Sequence, residues 1–205
     1  DSPDWLQQRL RQAGQRPISL LVDLTNYVML ELGQPLHAFD YDSLAGGRIV
    51  VRKAREGERL ETLNGVEHAL RTDQMMICDA ERPVAAAGIM GGAATEVGPN
   101  TKTMLLESAH FVNTSIRRTR KQMGLSTEAS YRFERSVDPE GVVAALNRFA
   151  ELYQQITGKS CLPGVVDVYP TPPVRSTVAI RTSRAAQMMG FDLEPAQVEA
   201  YLRRL

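Results

Sequence analysis

The sequence predicts an α+β fold, a layered domain with a mixed or antiparallel β core flanked by helices. Apolar residues recur at helical spacing near the start of the chain, from about Pro17 to Leu32, and again from Val142 to Ile156. Between Gly47 and Glu107 the period becomes that of strands. Strands gathered in the middle, with helices at both ends, differ from the strand–helix alternation of a doubly wound sheet.

Ser2-Pro3-Asp4 reads as a helix start: serine can cap, proline suits the first helical position, and the acid favours the N-terminal dipole. Gly14 closes that helix. Ile18, Leu21, Val22, Thr25, Val28, Met29 and Leu32 predict a second helix from about Pro17 to Leu32, with Gly33 as its stop. Pro35 forbids continuation, so Gln34 to Asp40 is expected as an ordered loop. Arg48 to Ala54 reads as a strand. Leu60–Leu63 and Val66–Leu70 flank Asn64-Gly65, a hairpin signal in which both turn positions favour positive φ. Met75–Cys78 and Val84–Ile89 follow, separated by a polar turn containing Pro83, and then Thr103–Glu107. Gly91-Gly92 suggests close approach to the backbone. Helix returns at about Thr114–Met123, closed by Gly124, and Asp138-Pro139-Glu140 opens a longer one ending before Gly158. Its apolar face is Val142, Leu146, Phe149, Leu152, Tyr153 and Ile156.

Pro163, Pro170, Pro172 and Pro173 mark a linker with an extended stretch. A strand near Val178–Ile180, a helix capped by Ser183 and a final helix after Glu194 are expected beyond it. The domain reading is therefore 1–165, a proline-rich linker at 166–174, and an incomplete further domain at 175–205. Residue 1 is Asp and the last helix simply stops, as in a piece of a longer chain.

Lysine plus arginine number 24 and aspartate plus glutamate 24, which excludes a generically basic nucleic-acid binder but not a local basic face. Cys78 and Cys161 are the only cysteines and lack metal-type spacing, so a reducing, cytoplasmic setting is expected. No secretory pattern or membrane-length apolar run is present.

Few residues carry chemistry locally. His37, near Asp40 and Asp42, is either a polar group at a pocket mouth or a loop histidine bonded to backbone. His68 and His110 read as structural. Glu107 ends an apolar strand, where a carboxylate needs a donor, a ligand hydroxyl or an arginine. Ser126-Thr127-Glu128-Ala129-Ser130 offers hydroxyls to a substrate, or a helix cap. Arg117, Arg118, Arg120 and Lys121 share one short helix, with Arg132 and Arg135 downstream; such a cluster binds phosphates or is a solvated face. Metal-binding, phosphate-loop and nucleophile-elbow motifs are missing.

The ordered combination is more specific. Val22-Asp23-Leu24-Thr25-Asn26-Tyr27-Val28-Met29-Leu30-Glu31-Leu32-Gly33-Gln34-Pro35-Leu36-His37-Ala38-Phe39-Asp40 is followed by Gly88-Ile89-Met90-Gly91-Gly92 and Leu105-Leu106-Glu107-Ser108-Ala109. Ser126-Thr127-Glu128-Ala129-Ser130-Tyr131-Arg132-Phe133-Glu134-Arg135 and Val137-Asp138-Pro139 come next. This series resembles the tRNA-editing domain of bacterial phenylalanyl-tRNA synthetase β subunits over about residues 1–165.

The resemblance implies hydrolysis of tyrosine mischarged onto tRNA(Phe). An apolar synthetic pocket rejects an added hydroxyl only modestly, so a second pocket that hydrogen-bonds it improves accuracy. The resemblance assigns Glu107 to the tyrosine hydroxyl, with main-chain groups near Ala87 and Gly88. His37, Asn26 and Thr25 line the reaction end, Thr127 and Ala129 shape the pocket, and Gly91 leaves room. Water attack is expected, with His37 orienting the water or acting as base. No metal or cofactor is expected for editing, since ATP and Mg serve the enzyme's synthetic site. The implied partners are tRNA(Phe) and an α subunit in an α2β2 assembly, with no membrane. A non-catalytic RNA-docking or subunit-assembly module and a free-standing deacylase are the competing readings.

Overall fold

The computed structural model describes residues 1–174 and 176–204. They fall into two units, Asp1–Gly164 and Val165–Leu205.

In the first unit, α1 (Asp4–Gln12) and α2 (Leu20–Leu32) pack with α5 (Val142–Thr157). Leu6, Leu10, Leu24, Val28, Ala145, Phe149 and Leu152 form their shared core. Ser2 does not cap α1; its hydroxyl donates to Asp23 Oδ2 at 2.5 Å, and the N-cap is Pro3. α2 begins at Leu20, later than the pattern suggests, because Asp23 Oδ1 accepts from Ile18 N at 2.7 Å and holds the entering chain. Gly33 ends it in the left-handed region, at φ 75°.

The segment expected as a loop is instead strand β1 (Leu36–Asp40), paired antiparallel with β8 (Met104–Ser108). Pro35 stops the helix but does not oppose a strand that begins after it. Alternation decides what each face of this ribbon meets. Leu36, Met104 and Leu106 pack on the helical core. Phe39 and Leu105, on the other face, join Leu44, Ile77, Val84, Ala85 and Ala87 in a second cluster.

A four-stranded antiparallel sheet has the order β2 (Val50–Lys53), β5 (Met75–Cys78), β6 (Pro83–Ala86), β7 (Met90–Gly91). Pro83 opens β6 and Ile89 lies in the turn before β7, so the expected 84–89 strand is broken by Gly88 at φ 66°. The hairpin of β3 (Arg59–Glu61) and β4 (Glu67–Ala69) has a longer loop than a two-residue turn. Gly65 has φ 75° but Asn64 does not have positive φ. Asn64 Oδ1 accepts from Thr62 Oγ1 at 2.7 Å and Val66 N at 3.3 Å. Every strand pairing among the described residues is antiparallel.

Helices α3 (Asn113–Met123) and α4 (Glu128–Phe133) close the sheet through Ile116 and Phe133. Gly124 ends α3 at φ 66°.

The second unit contains α6 (Thr182–Met189) and α7 (Pro195–Leu202). No strand forms at Val178–Ile180, where Val178 and Ile180 are exposed. Ser183 lies inside α6, whose N-cap is Arg181. Glu194 caps α7 together with Gln197. Arg175 and Leu205, the limits of the expected further domain, lie outside the described residues. None of the helices among the described residues is long and apolar enough to cross a membrane.

Candidate active site

Directly opposite on β1 and β8 are His37 and Glu107. Cross-strand neighbours have Cβ atoms about 5 Å apart and share a face. Both side chains line one cavity of about 430 Å³. Thr25, Asn26 and Met29 enter it from α2, and Gly88, Ile89, Met90 and Gly91 from the turn between β6 and β7. Phe111 and Phe133, in edge-to-face contact at 4.9 Å, supply an aromatic wall.

Among the described residues, neither titratable group has a charged partner. Burial pushes the Glu107 carboxyl up to about 7, and its Oε2 is enclosed, with no hydrogen-bond donor to it among the described residues. Burial also lowers the His37 imidazole to about 4. Phe39 stands edge-on to that ring at 4.5 Å. Asp40 does not assist: its carboxylate accepts from Asp42 N at 3.1 Å and Thr101 Oγ1 at 2.7 Å. Between pH 4 and 7, therefore, both side chains tend towards their neutral forms.

Gly91 answers to His37 as much as to any ligand. A Cβ there would lie 2.7 Å from His37 Nε2 and collide with Cε1. Gly88 needs its positive φ, and a Cβ would meet Phe111 at 2.7 Å.

Thr127 is both a cap and a wall residue. Its Oγ1 accepts from Ser130 N at 3.0 Å and donates to Ile89 O at 2.8 Å, tying α4 to the turn at Gly88. Ala129 follows on the same wall. Ala87, by contrast, is not among the lining residues. It is 2% exposed, and its N–H donates to Met75 O at 3.2 Å. The side chain of Thr25 is committed too, donating to Val22 O at 2.7 Å.

Sequence reasoning missed Leu63 and Asn64, at the tip of the β3–β4 hairpin, which also line the cavity. Asn64-Gly65 marked a turn, and nothing local told where its tip would lie.

The basic helix is partly neutralised. Arg120 Nε pairs with Glu134 Oε2 at 2.9 Å, and Arg117 donates to Glu134 O at 3.2 Å. Arg118 and Lys121 are exposed, with no ion pair among the described residues. Downstream, Arg132 pairs with Glu128, and Arg135 lies on Tyr131 and pairs with Glu134.

A compact helical layer, an antiparallel ribbon and a cavity at the seam define the class of domain. Residues 1–158 match the B3/4 domain model, and the chain belongs to that family. At the level of whole proteins, the chain is similar to phenylalanine–tRNA ligase β subunits. It is 51% identical over 204 residues to that of Moorella thermoacetica and 50% identical to that of Symbiobacterium thermophilum. Against that of Syntrophus aciditrophicus the identity is 46% over 205 residues. Each alignment covers 100% of this chain and 25%, 23% and 26% of the relative, so the chain spans about a quarter of their length.

Proposed function

We propose that the cavity hydrolyses the ester of a mischarged aminoacyl-tRNA, releasing tyrosine from tRNA(Phe), as an editing site of phenylalanine–tRNA ligase. The observation that carries this reading is the pairing of His37 with Glu107 on one face of a two-stranded ribbon, both lining one cavity of about 430 Å³. That volume suits a small-molecule group. Phe111, Phe133 and Ile77 offer apolar surface to an aromatic ring.

The Glu107 carboxyl, which lines the cavity and has no charged partner among the described residues, takes the phenolic O–H of tyrosine. Phenylalanine leaves it unpaired, at a cost of about 1–3 kcal/mol. Water adds to the aminoacyl carbonyl carbon, the carbon–oxygen bond to the ribose breaks, and the ribose oxygen leaves with a proton. A histidine whose conjugate acid titrates near 4 is a weak base at neutral pH, but its ring is neutral there and keeps a lone pair that accepts a hydrogen bond. His37 therefore orients the water through its lone pair, with Asn26 beside it. ATP and Mg belong to synthesis elsewhere in the enzyme. Exposed Arg118 and Lys121 contact tRNA phosphates, while Arg117 and Arg120 first hold Glu134. An α subunit in an α2β2 assembly completes the enzyme.

The test is deacylation of tyrosyl-tRNA(Phe) against phenylalanyl-tRNA(Phe) by the assembled ligase. Glu107→Ala is expected to erase the preference for tyrosine. Unchanged rates and ratio in that variant would refute hydroxyl recognition, whereas absence of deacylation by the wild-type ligase would favour a non-catalytic docking module.

A further inference from the structure

The tip of the β3–β4 hairpin lines the cavity, and backbone bonds hold it there. Leu63 N donates to Gly91 O at 3.0 Å, and Thr62 pairs with Gly92 in an isolated antiparallel bridge. Thr62 is fully buried, and its N–H donates to Val66 O at 3.0 Å. Leu63 itself is 41% exposed and joins none of the three apolar clusters that the described residues form. Core packing therefore does not account for a leucine at this position. An apolar side chain of that size is normally placed by the apolar neighbours it covers.

What Leu63 meets is the edge of the reaction site. A Cβ on Gly91 would lie 3.2 Å from Leu63 Cδ1 and 2.7 Å from His37 Nε2. Both side chains border the space that this glycine leaves open, and the two atoms are no further apart than those lengths laid end to end. Leu63 turns part of its surface to solvent and part to the cavity. The imidazole has Phe39 edge-on at 4.5 Å, and burial alone lowers its titration. Two carboxyl residues share the cavity lining with it. Glu107 on β8 keeps its proton up to about pH 7, and Glu128 on α4 is paired with Arg132 at 2.7 Å.

We propose that Leu63 is a positioning residue of the editing site, closing the solvent side of His37 so that the attacking water is held in one orientation. This deepens the hydrolytic reading of the cavity and rests on it. A neutral imidazole is a weak base, so the rate depends on how well its lone pair aims the water. Bulk solvent at that lone pair would offer water in many orientations. An isobutyl group has neither donor nor acceptor, so beside it the water directs its remaining bonds to the ester and to polar cavity groups.

The experiment pairs deacylation kinetics of the assembled ligase with a proton-resonance titration of His37 in the 205-residue chain, its signal assigned by loss in His37→Gln. Leu63→Ala should lower kcat on tyrosyl-tRNA(Phe) by about ten- to a hundredfold, with KM within about twofold. The rate on phenylalanyl-tRNA(Phe) should fall by the same factor, because the hydroxyl is read at Glu107. His37 should titrate higher in this variant, from about 4 towards 6.5, as water reaches the ring. Leu63→Met conserves volume and should restore both readouts. Val66→Ala should change neither, since Val66 is an exposed apolar residue of the same hairpin that is not among the lining residues. A titration left at about 4 in Leu63→Ala, a raised KM with unchanged kcat, or equal losses in Val66→Ala would overturn the proposal. A raised titration with full kcat would overturn the role of Leu63 and leave the hydrolytic reading standing. Absence of deacylation by the wild-type ligase would overturn both.

Discussion

Replacing Glu107 with glutamine keeps the side chain's shape and removes its titration. In the folded chain Glu107 holds its proton to about pH 7, against an ordinary 4.5. Below pH 4.5 it is protonated in both folded and unfolded chains. As pH rises towards 7 the unfolded chain ionises first, so folded stability is progressively lost, and above 7 the loss is complete. The full change is up to about 3 kcal/mol. His37 acts with the opposite sign. Its folded value lies at about 4 against an ordinary 6.5, so its contribution is present above 6.5 and is lost as pH falls towards 4. The two slopes nearly cancel between about pH 4.5 and 6.5. Urea unfolding of wild type and Glu107→Gln, followed by the fluorescence of the single tryptophan, Trp5, in α1, measures the difference directly. Wild-type stability relative to the variant should fall by up to about 3 kcal/mol from pH 4.5 to 7. A difference constant to within about 0.5 kcal/mol over that range would refute a carboxyl desolvated by the cavity.

Other outcomes follow from the same geometry. Gly91→Ala should destabilise the fold by about 1–3 kcal/mol in urea unfolding and slow deacylation, because its Cβ meets the His37 ring. Normal stability and rate would mean that the ring moves freely. Thr127→Val should cost about 1–2 kcal/mol by losing the α4 cap and the bond to Ile89 O, whereas Thr127→Ser should retain most of both. Tyrosine analogues should bind more tightly as pH rises through about 7 if ionised Glu107 accepts the phenol, a trend that calorimetry at several pH values would detect. Arg118→Ala and Lys121→Ala should each lower the log–log salt slope of tRNA binding by about 1. Arg120→Ala should instead lower stability, because its partner Glu134 is buried.

Much of the chain's local structure was legible in the residues themselves. The spacing in α2, α3 and α5 and the glycines that end them are local signals, since apolar periodicity and positive φ need no distant partner. The capping pattern at Thr127 was readable for the same reason. The ordered run from Thr25 to Asp40, with Gly91, Glu107 and Thr127 after it, also carried the family likeness. Tertiary structure alone decided that Leu36–Asp40 is a strand, because its partner lies at Met104–Ser108, far along the chain. Pairing supplied the hydrogen bonds, and alternation then turned His37 and Glu107 to the same face. It also brought the tip of the β3–β4 hairpin to the cavity, left Ala87 in the core and engaged Arg120 with Glu134. The charge states of Glu107 and His37 belong to this second group, because burial is set by every element around them and by neither residue's neighbours in sequence.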